Sequence, residues 1–132
     1  MKYIYPAVFS PVEEGGYCVF FPDIKRGATQ GDDMIEAMEM AEDFLCLALY
    51  DIEEEGDKIP IPSEIKSLEL QPEDFASMVA ADTDEYRRFN ENKLIKKTLT
   101  IPSWLNARAE AASVNFSQTL QRALKEDLQL VD

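Results

Sequence analysis

Apolar and polar positions change their spacing several times along this 132-residue chain. The first apolar run, Tyr3-Ile4-Tyr5-Pro6-Ala7-Val8-Phe9, is rich in aromatic and β-branched residues and predicts a strand. Pro6 has no N–H for a ladder, which predicts an edge position or a bulge there. Glu14-Gly15-Gly16 is a turn signal, and Tyr17-Cys18-Val19-Phe20-Phe21 beyond it completes a hairpin. Both parities of this second strand are apolar, so cover on both faces is expected. Pro22-Asp23 ends it, and a third short strand is expected near Gly27-Ala28-Thr29-Gln30. The period then changes. Met34, Ala37, Met38, Ala41, Leu45, Ala48, Leu49 and Ile52 recur at steps of three and four, the signature of one helix face over roughly five turns. Asp32 or Asp33 can cap this helix, with Glu36 in the capping-box position. Its opposite face carries Glu39, Glu42 and Asp43, and Glu53-Glu54-Glu55-Gly56 ends it. Residues 57–74 hold Pro60, Pro62 and Pro72 and read mostly as extended loop, long enough to hide a short element. Ser77-Met78-Val79-Ala80-Ala81 is a candidate fourth strand. The order β-β-β-α-β predicts an α+β layer with one helix on a small sheet.

A polar stretch at residues 90–93, Asn90-Glu91-Asn92-Lys93, has nothing to bury and reads as a linker between residues 1–89 and 94–132. In Ile95-Lys96-Lys97-Thr98-Leu99-Thr100-Ile101, Ile95, Leu99 and Ile101 fall on one parity, with Lys97 the exception. Lys96, Thr98 and Thr100 fall on the other. Pro102 ends this predicted strand, and Ser103 is a plausible N-cap for a helix carrying Leu105, Ala109 and Ala112. Asn115, with Gln118 three residues on, starts a second helix whose apolar face is Phe116, Leu120, Ala123, Leu124 and Leu128. Such a β-α-α unit of about 40 residues cannot bury enough apolar surface alone, and a lone strand leaves its backbone groups open. Dimerisation solves both problems, with Leu99, Ile101, Leu105, Leu120 and Leu124 as the expected dimer core. The paired strands would then present Lys96, Thr98 and Thr100 from each copy on one face. A two-stranded ribbon of this kind fits the DNA major groove. The helix N-terminus at Asn115, Phe116 and Ser117 suits a phosphate.

Composition sharpens this division. The chain holds 26 acids and 13 bases, a formal charge of −13. Residues 1–92 carry 22 acids and 7 bases, a net of −15, whereas residues 93–132 carry 4 acids and 6 bases, a net of +2. The first unit therefore suits a basic partner and the second can approach DNA. With 45% hydrophobic residues there is material for a core. The chain has no histidine, which removes His-based triads and most catalytic zinc sites. Cys18 and Cys46 lie in apolar runs and read as buried reduced thiols. No apolar run approaches the ~18 residues of a membrane span and no signal-peptide pattern opens the chain, so a cytoplasmic protein is expected.

The first unit resembles the HicB antitoxins. The resemblance rests on Tyr5-Pro6-Ala7-Val8-Phe9, Gly15-Gly16-Tyr17, Phe21-Pro22-Asp23, Thr29-Gln30-Gly31-Asp32, Glu36-Ala37 and Ile59-Pro60-Ile61-Pro62-Ser63, in that order. It implies a partial RNase H-like domain that binds and blocks HicA, a small basic toxin that cleaves mRNA. Residues 94–130 resemble the ribbon-helix-helix repressors, through the Lys/Thr strand ending in Pro102 and through Val114-Asn115-Phe116-Ser117-Gln118 opening a helix. That likeness implies base contacts from Lys96, Thr98 and Thr100, and phosphate contacts at Asn115, Phe116 and Ser117.

Taken together these features predict an antitoxin without enzymatic activity, metal or cofactor. It would neutralise a HicA-type ribonuclease and repress its own operon as a homodimer on an inverted-repeat operator. Other readings are a ligand-sensing ribbon-helix-helix repressor with no toxin partner, and a C-terminal arm that only dimerises. A metal-dependent nuclease is disfavoured. RNase H-type catalysis draws a carboxylate from the first strand, and Tyr3 to Phe9 contains none. Asp32, Asp33, Glu36, Asp82 and Asp84 are the acids from which a weak metal site would have to be built.

Overall fold

The N-terminal apolar run forms strand β1 (Lys2–Pro11), which pairs antiparallel with β2 (Tyr17–Phe20) on one side and β4 (Phe75–Asp82) on the other. A short strand β3 (Ala28–Gly31) pairs with β2, so the sheet order is β3-β2-β1-β4. Helix α1 (Met34–Glu55) packs on one face of the sheet, and a second helix, α2 (Thr83–Asn90), leaves the end of β4 and packs against α1. A single 3-10 turn, Ile65–Ser67, is the short element within the 57–74 segment. After Lys93 a second unit begins, containing α3 (Ser103–Ala111) and α4 (Phe116–Asp127). This computed structural model describes residues 1–130. Among them no helix is long and apolar enough to cross a membrane.

The sheet explains why Pro6 sits in a central strand rather than at the edge. Thr83 N–H donates to Met1 O at 3.0 Å, which sets the phase of the β1–β4 ladder. In an antiparallel ladder the hydrogen-bonding direction alternates residue by residue. With Pro6 opposite Met78 and Tyr5 opposite Val79, Pro6 turns its nitrogen away from β4, towards β2. The β1–β2 register, continued past Val8 and Phe20, would set Pro6 opposite Pro22. Neither has an N–H, so β2 ends before the pair is reached and no ladder bond is lost.

The core lies between the sheet and α1. Tyr5, Ala7 and Phe9 project from β1, Val19 from β2, and Val79 and Ala81 from β4, against Ala37, Ala41, Leu45, Ala48, Leu49 and Ile52 of α1. These are the helix positions predicted from the three-and-four spacing, apart from Met34 and Met38, which are more exposed. Burying a leucine such as Leu45 contributes about 1.5–3 kcal/mol. Phe9 stacks on Phe75 at 4.9 Å and Phe21 on Phe44 at 5.9 Å. Cover on the second face of β2 is less complete than expected, because Phe20 remains 39% exposed within one chain. Cys18 and Cys46 are likewise half-buried free thiols rather than fully buried ones. Burial still pushes the Cys46 thiol up from its ordinary value.

Helix α1 has defined ends. The Asp33 carboxylate caps it by accepting Glu36 N–H at 2.8 Å, and Glu36 reaches back to Asp32 N–H at 3.1 Å. At the other end Gly56 adopts a left-handed φ of 72°, and its N–H and that of Asp57 donate to Glu53 O and Ile52 O. A network then ties the end of α1 to β1 and α2. Glu53 accepts from Tyr3 Oη at 2.6 Å, Thr83 Oγ1 at 3.1 Å and Arg87 Nη1 at 2.8 Å, and Arg87 Nη2 reaches Glu54 at 2.9 Å. Burial alone would raise the Glu53 carboxyl, but these three donors outweigh it and hold it below its ordinary value. Burial and the Glu53 carboxylate together push the Tyr3 phenol up to about 12.

Two tests follow from this packing. Gly31 lies so close to α1 that a Cβ placed on it would stand 2.3 Å from the Ala37 nitrogen. Gly31→Ala is expected to cost about 1–3 kcal/mol or more of stability in denaturant unfolding, as overpacking against backbone does. Because Glu53 is lowered from 4.5, its contribution is present above that pH and lost as pH falls through the folded value. Glu53→Gln is expected to lower the melting temperature at pH 7 and to flatten its decline below about pH 4.5, read by circular dichroism.

Candidate interaction surfaces

Most of the motif residues in the first unit build the fold. The Asp23 carboxylate accepts Ser63 N–H at 2.9 Å and Ser63 Oγ–H at 2.5 Å, and the Tyr5 hydroxyl donates to Pro60 O. These bonds strap the proline-rich segment to the turn after β2. Gly16 takes a φ of 82° close against Gly31 O, and Gly31 makes room for the start of α1. The acids considered for a metal site are also engaged locally. Asp33 caps α1, Glu36 holds Asp32 N–H, and Asp82 caps α2 by accepting Asp84 and Glu85 N–H at 3.0 and 3.2 Å. Asp84 pairs with the Met1 ammonium at 2.5 Å. Among the described residues no group of acids and thiols is arranged to hold a metal ion.

The negative charge of this unit is unevenly compensated. Arg87 neutralises Glu53 and Glu54, and Arg26 pairs with Glu55 at 2.8 Å. All of these lie at the C-terminal end of α1. Further up the helix, Glu39, Glu42 and Asp43 are exposed and, among the described residues, make no ion pair. The outer helix surface is thus a field of single sign with a neutralised end. Helix α2, which sequence spacing did not single out, frames one side of it. Its signals were present: Asp82 as N-cap, Asp84 and Glu85 in the first turn, and Arg87 and Arg88 in the last.

The second unit has a different character. Within one chain neither α3 nor α4 has a buried residue. Leu99, Ile101, Leu105 and Leu124 are exposed and Leu120 is half-buried. Trp104 is 60% exposed, with the Arg108 guanidinium 5.7 Å from its ring centre. The expected strand at 95–101 is not formed: these residues pair with no strand among the described residues. Lys96, Thr98 and Thr100 in that segment are exposed. Ser103 is the first residue of α3 and not its cap: Leu105 and Asn106 N–H both donate to Pro102 O. The start of α4 is as expected. Asn115 accepts Gln118 N–H at 3.1 Å, and the Phe116 and Ser117 N–H groups have no acceptor among the described residues.

These two units can be set beside known proteins. Residues 4–71 match the family model of the HicB-like antitoxins of bacterial toxin–antitoxin systems, and the chain belongs to that family. It is 51% identical over 61 residues to Antitoxin HicB 1 of Photorhabdus laumondii and 44% identical over 63 residues to Antitoxin HicB of Escherichia coli K12. Those matches take in 46% and 48% of this chain but only 39% and 46% of the relatives' lengths, so the likeness spans less than half of each curated relative. A solved toxin–antitoxin complex from Streptococcus pneumoniae contains a chain of similar fold, with a TM-score of 0.62 at 34% identity over 96% of this chain and 99% of that one.

The connection between α3 and α4 contains a position that can be improved. Ser113 adopts a left-handed φ of 57°, and Ser113 and Val114 N–H donate to Glu110 O and Ala109 O in a Schellman arrangement. Glycine holds that conformation without the penalty that a Cβ brings, which is about 1 kcal/mol. Ser113→Gly is therefore expected to raise the unfolding midpoint of the second unit without altering its helix content.

Proposed function

We propose that this protein is an antitoxin that binds a small basic HicA-type ribonuclease and covers its active site, and that it represses its own operon through the second unit. The family match over the acidic unit carries the first half of this reading. A catalytic site that acts on RNA must bind phosphates and is therefore basic. The unpaired carboxylates of α1 offer it a complementary field. Occlusion needs no chemistry from the antitoxin. It needs a stable interface, of about 1,600 Å² in total for a complex of standard size. On this reading the sheet with its long helix is a partial RNase H-like domain used as a binding platform, and the chain itself cleaves nothing.

The uncovered apolar side chains of the second unit support the other half. Two copies pairing residues 95–101 antiparallel would complete a ribbon, and packing Leu99, Ile101, Leu105, Leu120 and Leu124 would form a shared core. That is a ribbon-helix-helix homodimer. Lys96, Thr98 and Thr100 would then read base edges in the major groove, and the free N–H groups at Phe116 and Ser117, held by the Asn115 cap, would receive a backbone phosphate. Two-fold symmetry gives an inverted-repeat operator.

The tests separate the two activities. Co-expression with the small basic protein encoded in the adjacent reading frame is expected to restore growth and to yield a co-purifying complex. If residues 1–93 give no protection, neutralisation does not reside in the first unit. The double variant Lys96→Ala/Thr98→Ala is expected to lose operator binding by about 1–3 kcal/mol per contact in a gel-shift titration and to retain the toxin complex.

A further inference from the structure

Strand β4 is an edge of the sheet: among the described residues no strand pairs with its outward side, although the 3-10 turn Ile65–Ser67 approaches the strand. The Thr83 N–H to Met1 O bond and the β1–β4 register assign Phe75, Ser77, Val79 and Ala81 to the ladder with β1. By the same alternation Ala76, Met78 and Ala80 direct their N–H and C=O groups away from the sheet. Among the described residues the hydrogen bond found at these groups is from the Ser77 hydroxyl to Met78 O, at 3.3 Å. Natural edges are commonly blunted by a lysine, a proline or a covering element. This stretch, Ala76-Ser77-Met78-Val79-Ala80, contains neither residue, and Met78 and Ala80 are exposed.

A groove of about 630 Å³ lies beside the C-terminal half of this edge. Its walls bring together Ala80 and Asp82 of β4, Glu42 of α1 and Glu85 of α2, with Ile4 and Lys2 of β1 at one side. An adjoining hollow of about 270 Å³ adds Asp43, Cys46 and Phe89, whose ring is exposed. The carboxylates of Glu42, Asp43 and Glu85 make no ion pair among the described residues. A free hydrogen-bonding row, apolar contact points and a flank of acids therefore meet at one place.

We propose that the β4 edge and this acidic groove receive an extended basic segment of the toxin by strand addition, so that the sheet continues into the partner. The inference rests on the antitoxin reading and states where that partner docks. In strand addition, backbone bonds supply affinity and alternate side chains reach flanking pockets. Lys or Arg on the incoming strand would meet Glu42, Asp43 and Glu85. Charge decides against a second copy of this chain in the same place, because residues 1–92 carry 22 acids against 7 bases. Edge-to-edge pairing of two such units would bring two rows of carboxylates together.

The experiment uses the full chain and the co-expressed toxin, with affinity measured by titration calorimetry. Ala80→Pro removes an outward N–H and leaves the β1 ladder intact, since Ala80 does not donate to β1. It is expected to weaken toxin binding at least tenfold with circular dichroism and operator binding unchanged. Glu42→Lys/Glu85→Lys alters only exposed side chains, keeps the backbone edge, and is expected to weaken binding by a similar factor. This second variant decides the matter if Ala80→Pro does not fold. Wild-type affinity within twofold in the charge-reversed protein overturns the proposed docking site while leaving the antitoxin reading in place. Failure of the wild-type chain to bind the toxin at all overturns that reading itself. A change in oligomeric state by light scattering with toxin affinity unchanged would assign the edge to self-association and also overturn the proposal.

Discussion

The first unit depends on how closely one long helix can approach one sheet. Ala37 and Ala41 present no bulk, and Gly31 presents no Cβ, where α1 crosses the sheet. That close approach lets Leu45 and Leu49 reach the row formed by Tyr5, Ala7 and Phe9, and it places the end of α1 beside the start of α2. The Glu53 network follows from this placement. Tyr3 comes from β1, and Thr83 and Arg87 from α2, yet all three donate to one carboxylate. A larger residue at any of the small positions would push the helix outward and separate these donors from their acceptor.

The second unit works on the opposite principle. Helix α4 is capped by Asn115 and α3 ends in the turn at Ser113, yet most of the unit's large apolar side chains are exposed. Local helix signals are obeyed here although burial within one chain is slight, and the proposed dimer would supply the missing cover. A helix closes its backbone hydrogen bonds within its own segment, whereas a strand needs a neighbour to complete them. This is why α3 and α4 form in the single chain and residues 95–101 do not pair.

Helical periodicity and caps made α1 and α4 legible in the sequence almost to the residue, because both signals are local. The strands were legible as elements but not in their order. Pro6 argued for an edge, and only the register shows that its nitrogen faces a gap where Pro22 already ends β2. Helix α2 was missed because it has only eight residues, with Tyr86 and Phe89 as its large apolar side chains, and lies beside a polar stretch that resembled a linker. The motif residues pointed to the right family for a reason that sequence cannot state. Asp23 is hydrogen-bonded to Ser63, and Gly16 packs against Gly31, so these residues trace the fold and say little about where a partner sits. The acids of α1 were visible from spacing, but only the placement of Arg26 and Arg87 shows which of them remain unneutralised.

That uneven neutralisation gives ionic strength two opposing roles. In the free first unit, Glu39, Glu42 and Asp43 repel one another, and added salt screens that repulsion and stabilises the unit. Against a cationic partner the same carboxylates attract, and added salt shortens the reach of that attraction to about 10 Å or less. The solvent condition that favours the isolated protein is therefore the one that weakens its hold on a basic partner.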